Sequence, residues 1–544
     1  MKTNTADNRL DVVIVGAGFA GLYALYRCRQ LGLRARVFER GPSVGGTWYW
    51  NRYPGARCDI ESVYYSYSFS KELEQEWKWS SRYAPQPEIL AYLNHVADRF
   101  DLRGDIQFET SVQGATFDEA TGRWDVRTDK GTVNARFYVM ATGCLSAGQL
   151  PNVPGLDRFK GATHHTGDWP TGGVDFTGKR VGVIGTGSSG IQMTPYVARD
   201  AAHLYVFQRT PQYAVPARNT ELSDAQMGEM QARYDQIRAD MRESFVGIPY
   251  RPKAVGAAQD TAEGRQKTFD EAWERGGYMS LTCYPDLLLN EQSNAYMGEY
   301  AWKQISQRIK NPELAAKLKP DYPFGAKRLC AETDYFDIFN RDNVSLVDLR
   351  DSGIKEIVEG GIRLENGQTI ELDMIIFATG FDAMTGAILS LDIRGRNGVS
   401  IQKKWANGPA NYLGVSVNGF PNFFTVTGPG SPSVLYNMVP GIEQHVDWIT
   451  DCIHHVVKNG YDTIEAKPDE EKKWTAHVDE VAAQTLYPKA KSWYMGRNTP
   501  GKVEGFMPYA GGGNVYRNIV DEIASEGYRG FTLGKVKAQQ PETA

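Results

Sequence analysis

Several features that mark other classes of protein are scarce or missing in this sequence of 544 residues. Its six cysteines are scattered and form no C-x-x-C pair, which argues against a disulfide framework, a zinc site and a dithiol redox centre. Its 60 basic and 65 acidic side chains are interleaved, so no basic run offers a surface to nucleic acid or to a membrane. What remains is a globular composition, 41% hydrophobic and 12% aromatic, that suits burial of a large ligand.

A long apolar segment is also missing. The residues before position 10 lack the apolar core of a signal peptide. The most apolar early run, residues 12–26, is interrupted by Gly16, Gly18 and Gly21, so it predicts a strand, a turn and a helix instead of a membrane span. Together with the unpaired cysteines, these observations predict a cytoplasmic protein without a metal site that binds neither membrane nor nucleic acid.

The first glycine-rich loop has the surroundings of a dinucleotide site. Residues 11–15 form an apolar β-branched run, and a helical stretch, residues 22–31, follows the loop. In this strand–loop–helix order, Gly16 permits a tight turn, Gly18 lets the backbone approach a pyrophosphate, and Gly21 lets the helix pack on the strand. The start of the helix then offers free N–H groups to phosphate.

A second loop, residues 185–190, repeats this plan but differs at one informative position. In the first copy, Glu39 stands 18 residues after the last glycine, where a carboxylate accepts hydrogen bonds from a ribose 2′-hydroxyl and repels a 2′-phosphate. In the second copy, Arg209 stands 19 residues after the last glycine, and a guanidinium suits a bidentate hold on a 2′-phosphate. The first loop therefore favours FAD and the second favours NADPH.

Two longer patterns accompany the loops. Residues 45–59 read G-G-x-W-x-x-x-x-Y-P-G-x-x-x-D, and residues 159–170 read F-x-G-x-x-x-H-x-x-x-W-P. With the basic pair Lys327 and Arg328 on a Gly-Pro loop, they resemble the signatures of the type I Baeyer–Villiger monooxygenases, a family that includes phenylacetone, steroid and cyclohexanone monooxygenases. The resemblance covers nearly the whole chain.

The resemblance implies a reaction. NADPH reduces FAD, O₂ adds at flavin C4a, and the resulting peroxyflavin inserts one oxygen next to a ketone carbonyl to give an ester or a lactone. Aryl-alkyl or cyclic ketones are the expected substrates, steroids are a further candidate, and sulfoxidation is an additional activity. The expected partners are therefore O₂ and a small-molecule ketone. The protein is expected to be a monomer.

The two catalytic residues predicted on this basis are Arg328 and Asp59. A nucleophilic peroxide must stay anionic, and the permanently charged Arg328 lowers the pKa of such a group and stabilises an oxyanion. Asp59 is expected to orient Arg328. His165, in the connector between the two loops, is expected to fix geometry rather than to transfer protons.

The resemblance also carries a set of binding residues. Cofactor contacts around the first loop are predicted at Gly16, Gly18, Ala20, Gly21, Glu39, Thr47, Trp48, Tyr49, Trp50, Arg57, Cys58, Asp59, Tyr65, Val112 and Met438. Contacts with NADPH or NADP⁺ are predicted at Thr186, Gly187, Ser188, Ser189, Gly190, Ile191, Gln192, Arg209, Thr210, Lys327, Arg328 and Trp493. The ketone pocket is predicted at Gln149, Leu150, Val434, Leu435 and Tyr436.

The expected fold is α/β, with two Rossmann-like dinucleotide-binding domains and a helical insertion in the NADP domain; the length alone suits about three or four domain-sized units. A β-meander is predicted within residues 105–140, and strands at residues 413–417 and 422–426. The predicted segments are 1–145 and 383–536 for the FAD domain, 146–215 and 326–382 for the NADP domain, 216–325 for the insertion, and 537–544 for a disordered tail.

Two alternatives stay open at this point. An N- or S-oxidising flavin monooxygenase shares both nucleotide loops, although Trp169-Pro170 at the end of the connector argues against it. An uncoupled NADPH oxidase or a non-catalytic flavin-binding protein fits the loops equally well, although Arg328 and Asp59 are both present.

Overall fold

The computed structural model of the protein describes residues 9–536. The predicted disordered tail, residues 537–544, lies outside this range. Within residues 9–536 no helix has the length and apolar character needed to cross a lipid bilayer.

The described residues form twenty β-strands. In chain order they are β1 (Arg9–Val15), β2 (Ala35–Phe38), β3 (Ile106–Gln107), β4 (Val112–Asp118), β5 (Arg123–Thr128), β6 (Gly131–Met140), β7 (Ala162–His165), β8 (Arg180–Ile184), β9 (His203–Gln208), β10 (Ala214–Pro216), β11 (Cys330–Glu332), β12 (Val344–Asp348), β13 (Ile354–Val358), β14 (Gly361–Leu364), β15 (Thr369–Glu371), β16 (Met374–Phe377), β17 (Asp392–Arg394), β18 (Phe423–Thr425), β19 (Thr463–Ala466) and β20 (Phe531–Gly534).

Sixteen α-helices accompany the strands. They are α1 (Phe19–Gln30), α2 (Thr47–Trp50), α3 (Lys71–Glu76), α4 (Gln86–Arg99), α5 (Ser188–Asp200), α6 (Asp224–Gln231), α7 (Tyr234–Glu243), α8 (Ala262–Arg275), α9 (Met279–Thr282), α10 (Glu291–Ser306), α11 (Pro312–Leu318), α12 (Gly386–Leu389), α13 (Ile401–Lys404), α14 (Met438–Lys458), α15 (Pro468–Ala483) and α16 (Gly513–Ser525). Short 3-10 helices lie at Arg103–Asp105, Leu156–Arg158, Asp337–Asn340, Arg396–Gly398, Ser433–Leu435, Tyr487–Lys489 and Trp493–Met495.

The first sheet has eight strands in the order β17-β4-β5-β6-β1-β2-β3, with β18 also paired to β6. Its central strand β1 pairs in parallel with both β2 and β6. Four consecutive residues of β1, Val12 to Val15, are buried, as expected of an apolar run covered on both faces of a parallel sheet. The predicted β-meander is confirmed, because β4, β5 and β6 are joined by antiparallel pairings.

The second sheet is wholly parallel, with five strands in the order β12-β9-β8-β16-β7. The chain enters it after β6 and returns to the first sheet with β17 and β18. Two Rossmann-like sheets in one α/β chain confirm the expected fold class. Helices α6 to α11 lie between β10 and β11, where the helical insertion was expected; the domain boundaries stay a prediction.

One segment forms a strand that was not predicted, and one predicted strand is absent. The connector residues 162–165 are an edge strand of the second sheet, β7, paired with β16. The strand predicted at residues 413–417 is wrong: the N–H groups of Tyr412 and Ser416 each donate to the other's carbonyl, and Leu413 has a positive φ of 59°. The chain therefore folds into a tight turn with buried apolar side chains, and its only pairings in the described residues are isolated bridges from Ser416 to Tyr412 and to Phe424 of β18.

A buried ion pair fixes helix α7 to the first half of the chain. Arg238 Nε donates to Glu74 Oε1 at 2.7 Å, and both side chains are at most 7% exposed. Arg238 also donates through Nη2 to Ser66 Oγ and to the Tyr67 carbonyl. Because burial raises the pKa of the Glu74 carboxyl and Arg238 opposes this shift, the carboxylate depends on its partner.

We expect Arg238→Met to lower the free energy of unfolding by about 3–5 kcal/mol, because it leaves Glu74 buried without a counter-charge. The double variant Arg238→Met/Glu74→Leu should recover most of this loss. The exposed pair Lys71–Asp235 joins the same two regions at 3.1 Å, and Lys71→Met should cost less than about 1 kcal/mol. Chemical denaturation followed by circular dichroism measures all three, and equal losses for the two single variants would contradict the role given to the buried pair.

Candidate active site

Both glycine-rich loops begin at a strand end that only glycine fits. Gly16 after β1 and Gly185 after β8 have φ of +101° and +113°. A Cβ atom on Gly16 would lie 2.8 Å from the carbonyl oxygen of Ala141, and one on Gly185 would lie 2.4 Å from that of Ala378. Both loops therefore pack closely against the same kind of segment, an Ala-Thr-Gly turn that follows the adjacent strand.

The last glycine of each loop lets the following helix approach the turn. A Cβ atom on Gly21 would lie 1.8 Å from the Gly16 carbonyl oxygen, and one on Gly190 would lie 2.2 Å from the Gly185 carbonyl oxygen. Real Cβ atoms do not come this close, so both positions require glycine.

The middle glycine of each loop stands directly before a helix. Gly18 and Gly187 precede α1 and α5, and neither helix start is capped by a side chain. Around Gly187 an added Cβ would meet nothing within 4 Å, so here glycine is not required by the protein's own packing. An uncapped helix start with positive dipole and free N–H groups suits an anionic diphosphate, and the residues present fit two dinucleotides.

Glu39 lies beside the first loop. Its carboxylate accepts hydrogen bonds from the N–H groups of Ala17, at 2.8 Å, and Gly41, at 2.7 Å, and it is 5% exposed. Burial raises the pKa of the Glu39 carboxyl, and these two N–H groups oppose the shift. The acid is thus held at the end of β2, where a ribose hydroxyl is expected.

The corresponding corner of the second loop is basic. Arg209 is exposed at the end of β9, and Thr210 is joined to the loop because its carbonyl accepts a hydrogen bond from Thr186 Oγ1 at 2.8 Å. Burial lowers the pKa of Lys327 to about 8, with further lowering by the nearby charges of Arg209 and Lys491. The charge of Asp321 opposes this lowering. The three cations Lys327, Arg209 and Lys491 together suit a phosphate.

Aromatic side chains stand beside the first loop. Trp48 Nε1 donates to Tyr65 Oη at 3.3 Å, and the two rings meet edge to face. The guanidinium of Arg52 lies over Tyr49, and that of Arg40 lies over Trp50. Thr47 begins the short helix α2 that holds this group.

The predicted catalytic pair is in contact. Arg328 Nε and Nη2 lie 3.1 and 3.0 Å from Asp59 Oδ2, and the Asp59 side chain is 3% exposed. Asp59 Oδ1 accepts a hydrogen bond from the Ala331 N–H at 3.3 Å. The fold thus brings together two residues that are 269 positions apart in the sequence.

Burial alone lowers the pKa of Arg328, but Tyr278 and then Asp59 raise it well above its usual range, with a further contribution from Tyr494. The guanidinium therefore stays charged. Two residues that were not predicted from the sequence lie close to this guanidinium: Tyr278, at the start of α9, and Tyr494, in the C-terminal part of the chain. No spacing relates them to Arg328, so no sequence signal identified them.

Gln192 joins the catalytic pair to helix α5. Its amide oxygen accepts a hydrogen bond from Tyr53 Oη at 2.9 Å, and its Nε2 donates to the Arg57 carbonyl at 3.0 Å and points to Asp59 Oδ1 at 3.5 Å. A Cβ atom on Gly55 would lie 2.4 Å from the Gln192 carbonyl oxygen. The segment that carries Asp59 is therefore packed directly on the second nucleotide-binding unit.

The remaining predicted cofactor residues lie either beside the second loop or in the buried parts of the two units. Ser188 Oγ lies 3.2 Å from Cys330 Sγ, Ser189 lies beside the Tyr53 hydroxyl, and Ile191 is fully buried in the second hydrophobic core. Three more, Ala20, Cys58 and Val112, are buried near the first sheet. Their contacts with cofactors stay predictions.

The five predicted pocket residues are not all brought together. Val434 and Leu435 pack in one cluster with Trp493 and Met438. Tyr436 points away from them: its hydroxyl donates to the Met241 carbonyl of α7 at 3.1 Å. Leu150 is 52% exposed, and Gln149 accepts a hydrogen bond from Thr499 Oγ1 at 3.2 Å.

His165 has a structural setting. Its Nδ1 accepts a hydrogen bond from the Gly167 N–H at 3.0 Å. The nearby Trp169 is buried, and its backbone N–H donates to the Trp50 carbonyl at 3.2 Å. His165 Nε2 is buried and has no hydrogen-bond partner among residues 9–536, and the expectation that His165 fixes geometry stays a prediction.

Comparison with known proteins places this site in a family. A family model described as flavin-binding monooxygenase-like matches residues 9–225. A Baeyer–Villiger monooxygenase of Pseudooceanicola batsensis is 43% identical over 531 residues, which is 97% of each chain. An oxidised steroid monooxygenase structure bound to NADP has a TM-score of 0.92 at 50% identity and covers 97% of this chain and 100% of its own. A structure titled as OTEMO in complex with FAD and NADP has a TM-score of 0.93 at 40% identity, with coverage of 96% and 99%.

The fold and the site define a flavin-dependent monooxygenase with two dinucleotide-binding units, one for FAD and one for NADP. The chain belongs to the Baeyer–Villiger monooxygenase family. It is accordingly an FAD- and NADPH-dependent monooxygenase that oxidises ketones.

We expect Gly187→Ala to leave the thermal unfolding midpoint unchanged, because its φ of −79° suits alanine and nothing obstructs the added methyl group. The same methyl group should block close approach of a diphosphate and raise the Kd for NADP⁺ about tenfold or more. Gly228→Ala, in α6 and equally unobstructed, is the matched control. An unchanged NADP⁺ affinity in Gly187→Ala, measured by calorimetry, would contradict the placement of the diphosphate at this loop.

Proposed function

We propose that this chain inserts one oxygen atom between the carbonyl carbon and a neighbouring carbon of a ketone, with Arg328 and Asp59 as the residues that control the chemistry. The observation that carries the assignment of roles is the contact of 3.0 Å between the Arg328 guanidinium and the buried Asp59 carboxylate. Bound FAD, reduced by NADPH, supplies the activation of O₂.

Arg328 provides a fixed positive charge, and not all of its N–H donors are engaged by Asp59. Asp59 engages Nε and Nη2, and Nη1 donates to no other atom within residues 9–536. Arg328 thus holds negative charge that develops on oxygen, both on the oxidant and on the carbonyl oxygen of the ketone. Its charge persists at every working pH, because the pKa of Arg328 is well above its usual range.

Asp59 acts by positioning Arg328. Its second oxygen is held by the Ala331 N–H, so the carboxylate cannot rotate without losing a hydrogen bond. The Gln192 amide, at 3.5 Å, approaches the same oxygen from helix α5. The orientation of the guanidinium is therefore tied to the helix that begins the NADP site.

We propose that Lys327, Arg209 and Thr210 hold the 2′-phosphate of NADPH, and that the residues predicted around the two loops make the other cofactor contacts. Trp493 is proposed to cover the bound NADP⁺. The charge on Lys327, surrounded by Arg209 and Lys491, supports this assignment, because a phosphate relieves the mutual repulsion of the three cations.

The proposed substrates are aryl-alkyl and cyclic ketones, with sulfoxidation as a secondary activity. The apolar cluster of Val434, Leu435 and Met438 supports a ketone pocket at this end of the site. We also propose a cytoplasmic monomer; the six unpaired and buried thiols support a reducing compartment.

Arg328→Ala should abolish ester formation while NADPH still reduces the flavin, because hydride transfer does not need the oxyanion contact. Rapid mixing without oxygen measures flavin reduction, and chromatography with mass detection measures the ester. Arg328→Lys keeps the charge but loses the two-point contact with Asp59, and should retain a small part of the activity. Ester formation by Arg328→Ala at the rate of the unchanged enzyme would contradict the role of Arg328.

The affinity for NADP⁺ should fall as the pH rises through about 8, because Lys327 loses its proton there and with it the charge that meets the 2′-phosphate. Binding of NAD⁺, which has no 2′-phosphate, should show no such change. In Lys327→Arg the side chain stays charged, so the loss of NADP⁺ affinity near pH 8 should disappear. If that variant keeps the pH dependence of the unchanged protein, another group is responsible.

A further inference from the structure

Tyr53 lies in the segment that carries Asp59 and has no role among the residues assigned above. Its ring is 7% exposed and packs in the second hydrophobic core, together with Ala56 of the same segment and Ile191 of α5. The segment before Asp59 is therefore anchored in the core around the second sheet, although it follows the first glycine-rich loop in the chain.

The Tyr53 hydroxyl lies against the side-chain amide of Gln192, and the surroundings of this amide determine which way it faces. One side faces the Arg57 carbonyl at 3.0 Å and Asp59 Oδ1 at 3.5 Å. A carbonyl and a carboxylate only accept hydrogen bonds, so the atom on this side is Nε2. The opposite atom is therefore Oε1, and the Tyr53 hydroxyl donates to it at 2.9 Å.

The orientation of this amide depends on Tyr53. Gln192 is 8% exposed, and Tyr53 is the only hydrogen-bond donor to its Oε1 within residues 9–536. Without the hydroxyl, Oε1 is a buried acceptor that lacks a partner, which is costly. Reversal of the amide would then place Oε1 against the Arg57 carbonyl and the Asp59 carboxylate, where oxygen atoms repel each other.

Asp59 Oδ1 needs the donor that Gln192 supplies. The Ala331 N–H lies 3.3 Å from this oxygen and Gln192 Nε2 lies 3.5 Å from it. Both contacts are longer than the usual N–H···O distance of about 2.9–3.0 Å, so neither alone fixes the carboxylate firmly. Because Asp59 Oδ2 meets both Nε and Nη2 of Arg328, rotation of the carboxylate would tilt the guanidinium.

We propose that Tyr53 is a positioning residue for the reaction: its hydroxyl keeps the Gln192 amide donor turned towards Asp59, and Asp59 in turn keeps Arg328 oriented. This inference rests on the proposed function, because it concerns the control of the same cation. Burial raises the pKa of Tyr53, so the phenol keeps its proton and remains a donor.

Tyr53→Phe removes the hydroxyl and keeps the ring in the core. With Arg328 less well oriented, the anionic oxidant is protonated more readily and leaves as hydrogen peroxide. The ratio of hydrogen peroxide to ester should therefore rise about tenfold, the value of one buried hydrogen bond. A peroxidase-coupled assay and chromatography measure the two products from phenylacetone. A mere loss of folded protein would lower both products and leave their ratio unchanged.

Tyr138→Phe is the matched control. The Tyr138 hydroxyl is also buried but has no hydrogen-bond partner among residues 9–536, so its removal should leave the ratio unchanged. Calorimetry with NADP⁺ should give the same Kd for Tyr53→Phe as for the unchanged protein. An unchanged product ratio in Tyr53→Phe would overturn the inference. So would a rise in the NADP⁺ Kd that matches the rise in the ratio, because Tyr53 would then act on the coenzyme.

A double-variant cycle tests whether Tyr53 acts through Gln192. Gln192→Leu should raise the product ratio as Tyr53→Phe does, and Tyr53→Phe should add nothing in the Gln192→Leu protein. Gln192→Leu alone decides the question if Tyr53→Phe does not fold. Additive effects, or an unchanged ratio in Gln192→Leu, would overturn the inference, whereas failure of the unchanged enzyme to form ester from any ketone would contradict the proposed function instead.

Discussion

The contact between Asp59 and Arg328 is the constraint on which the arrangement of the two halves depends. A carboxylate that is 3% exposed is tolerated only with a counter-charge, and the counter-charge comes from the far side of the helical insertion. Gly55, Tyr53 and Gln192 bring the two segments together, because the backbone at Gly55 has room for no side chain against α5. The pair thus holds a permanent cation against the segment, residues 53–59, that packs on helix α5.

The two nucleotide-binding units share the same strand-to-helix turn and differ in the charged residue at the end of the neighbouring strand. In both, a parallel strand ends at a glycine with positive φ, against the carbonyl of an Ala-Thr-Gly turn. In the first unit the neighbouring strand ends at the buried Glu39, and in the second it ends at the exposed Arg209. We propose that this exchange of charge distinguishes a site for a free ribose from a site for a phosphorylated one.

Part of the fold and of the candidate site could be predicted from the spacing of residues in the sequence. The strands before the glycine loops, the meander and the pairing of Asp59 with Arg328 follow from short motifs or from the family resemblance. The turn at Leu413 was not predictable, because its apolar side chains read as a strand and the turn depends on backbone conformation. Tyr278, Tyr436 and Leu150 could not be placed either: their surroundings are set by the helical insertion and by tertiary packing, which no sequence period records.

Product identification tests the assignment most directly. The purified yellow protein, supplied with NADPH and air, should convert phenylacetone to benzyl acetate and cyclohexanone to caprolactone, each one oxygen atom heavier than its ketone. Chromatography with mass detection distinguishes these products from unreacted substrate. Rapid consumption of NADPH that yields only hydrogen peroxide with these and other ketones, or oxygen transfer to thioethers and amines alone, would contradict the assignment.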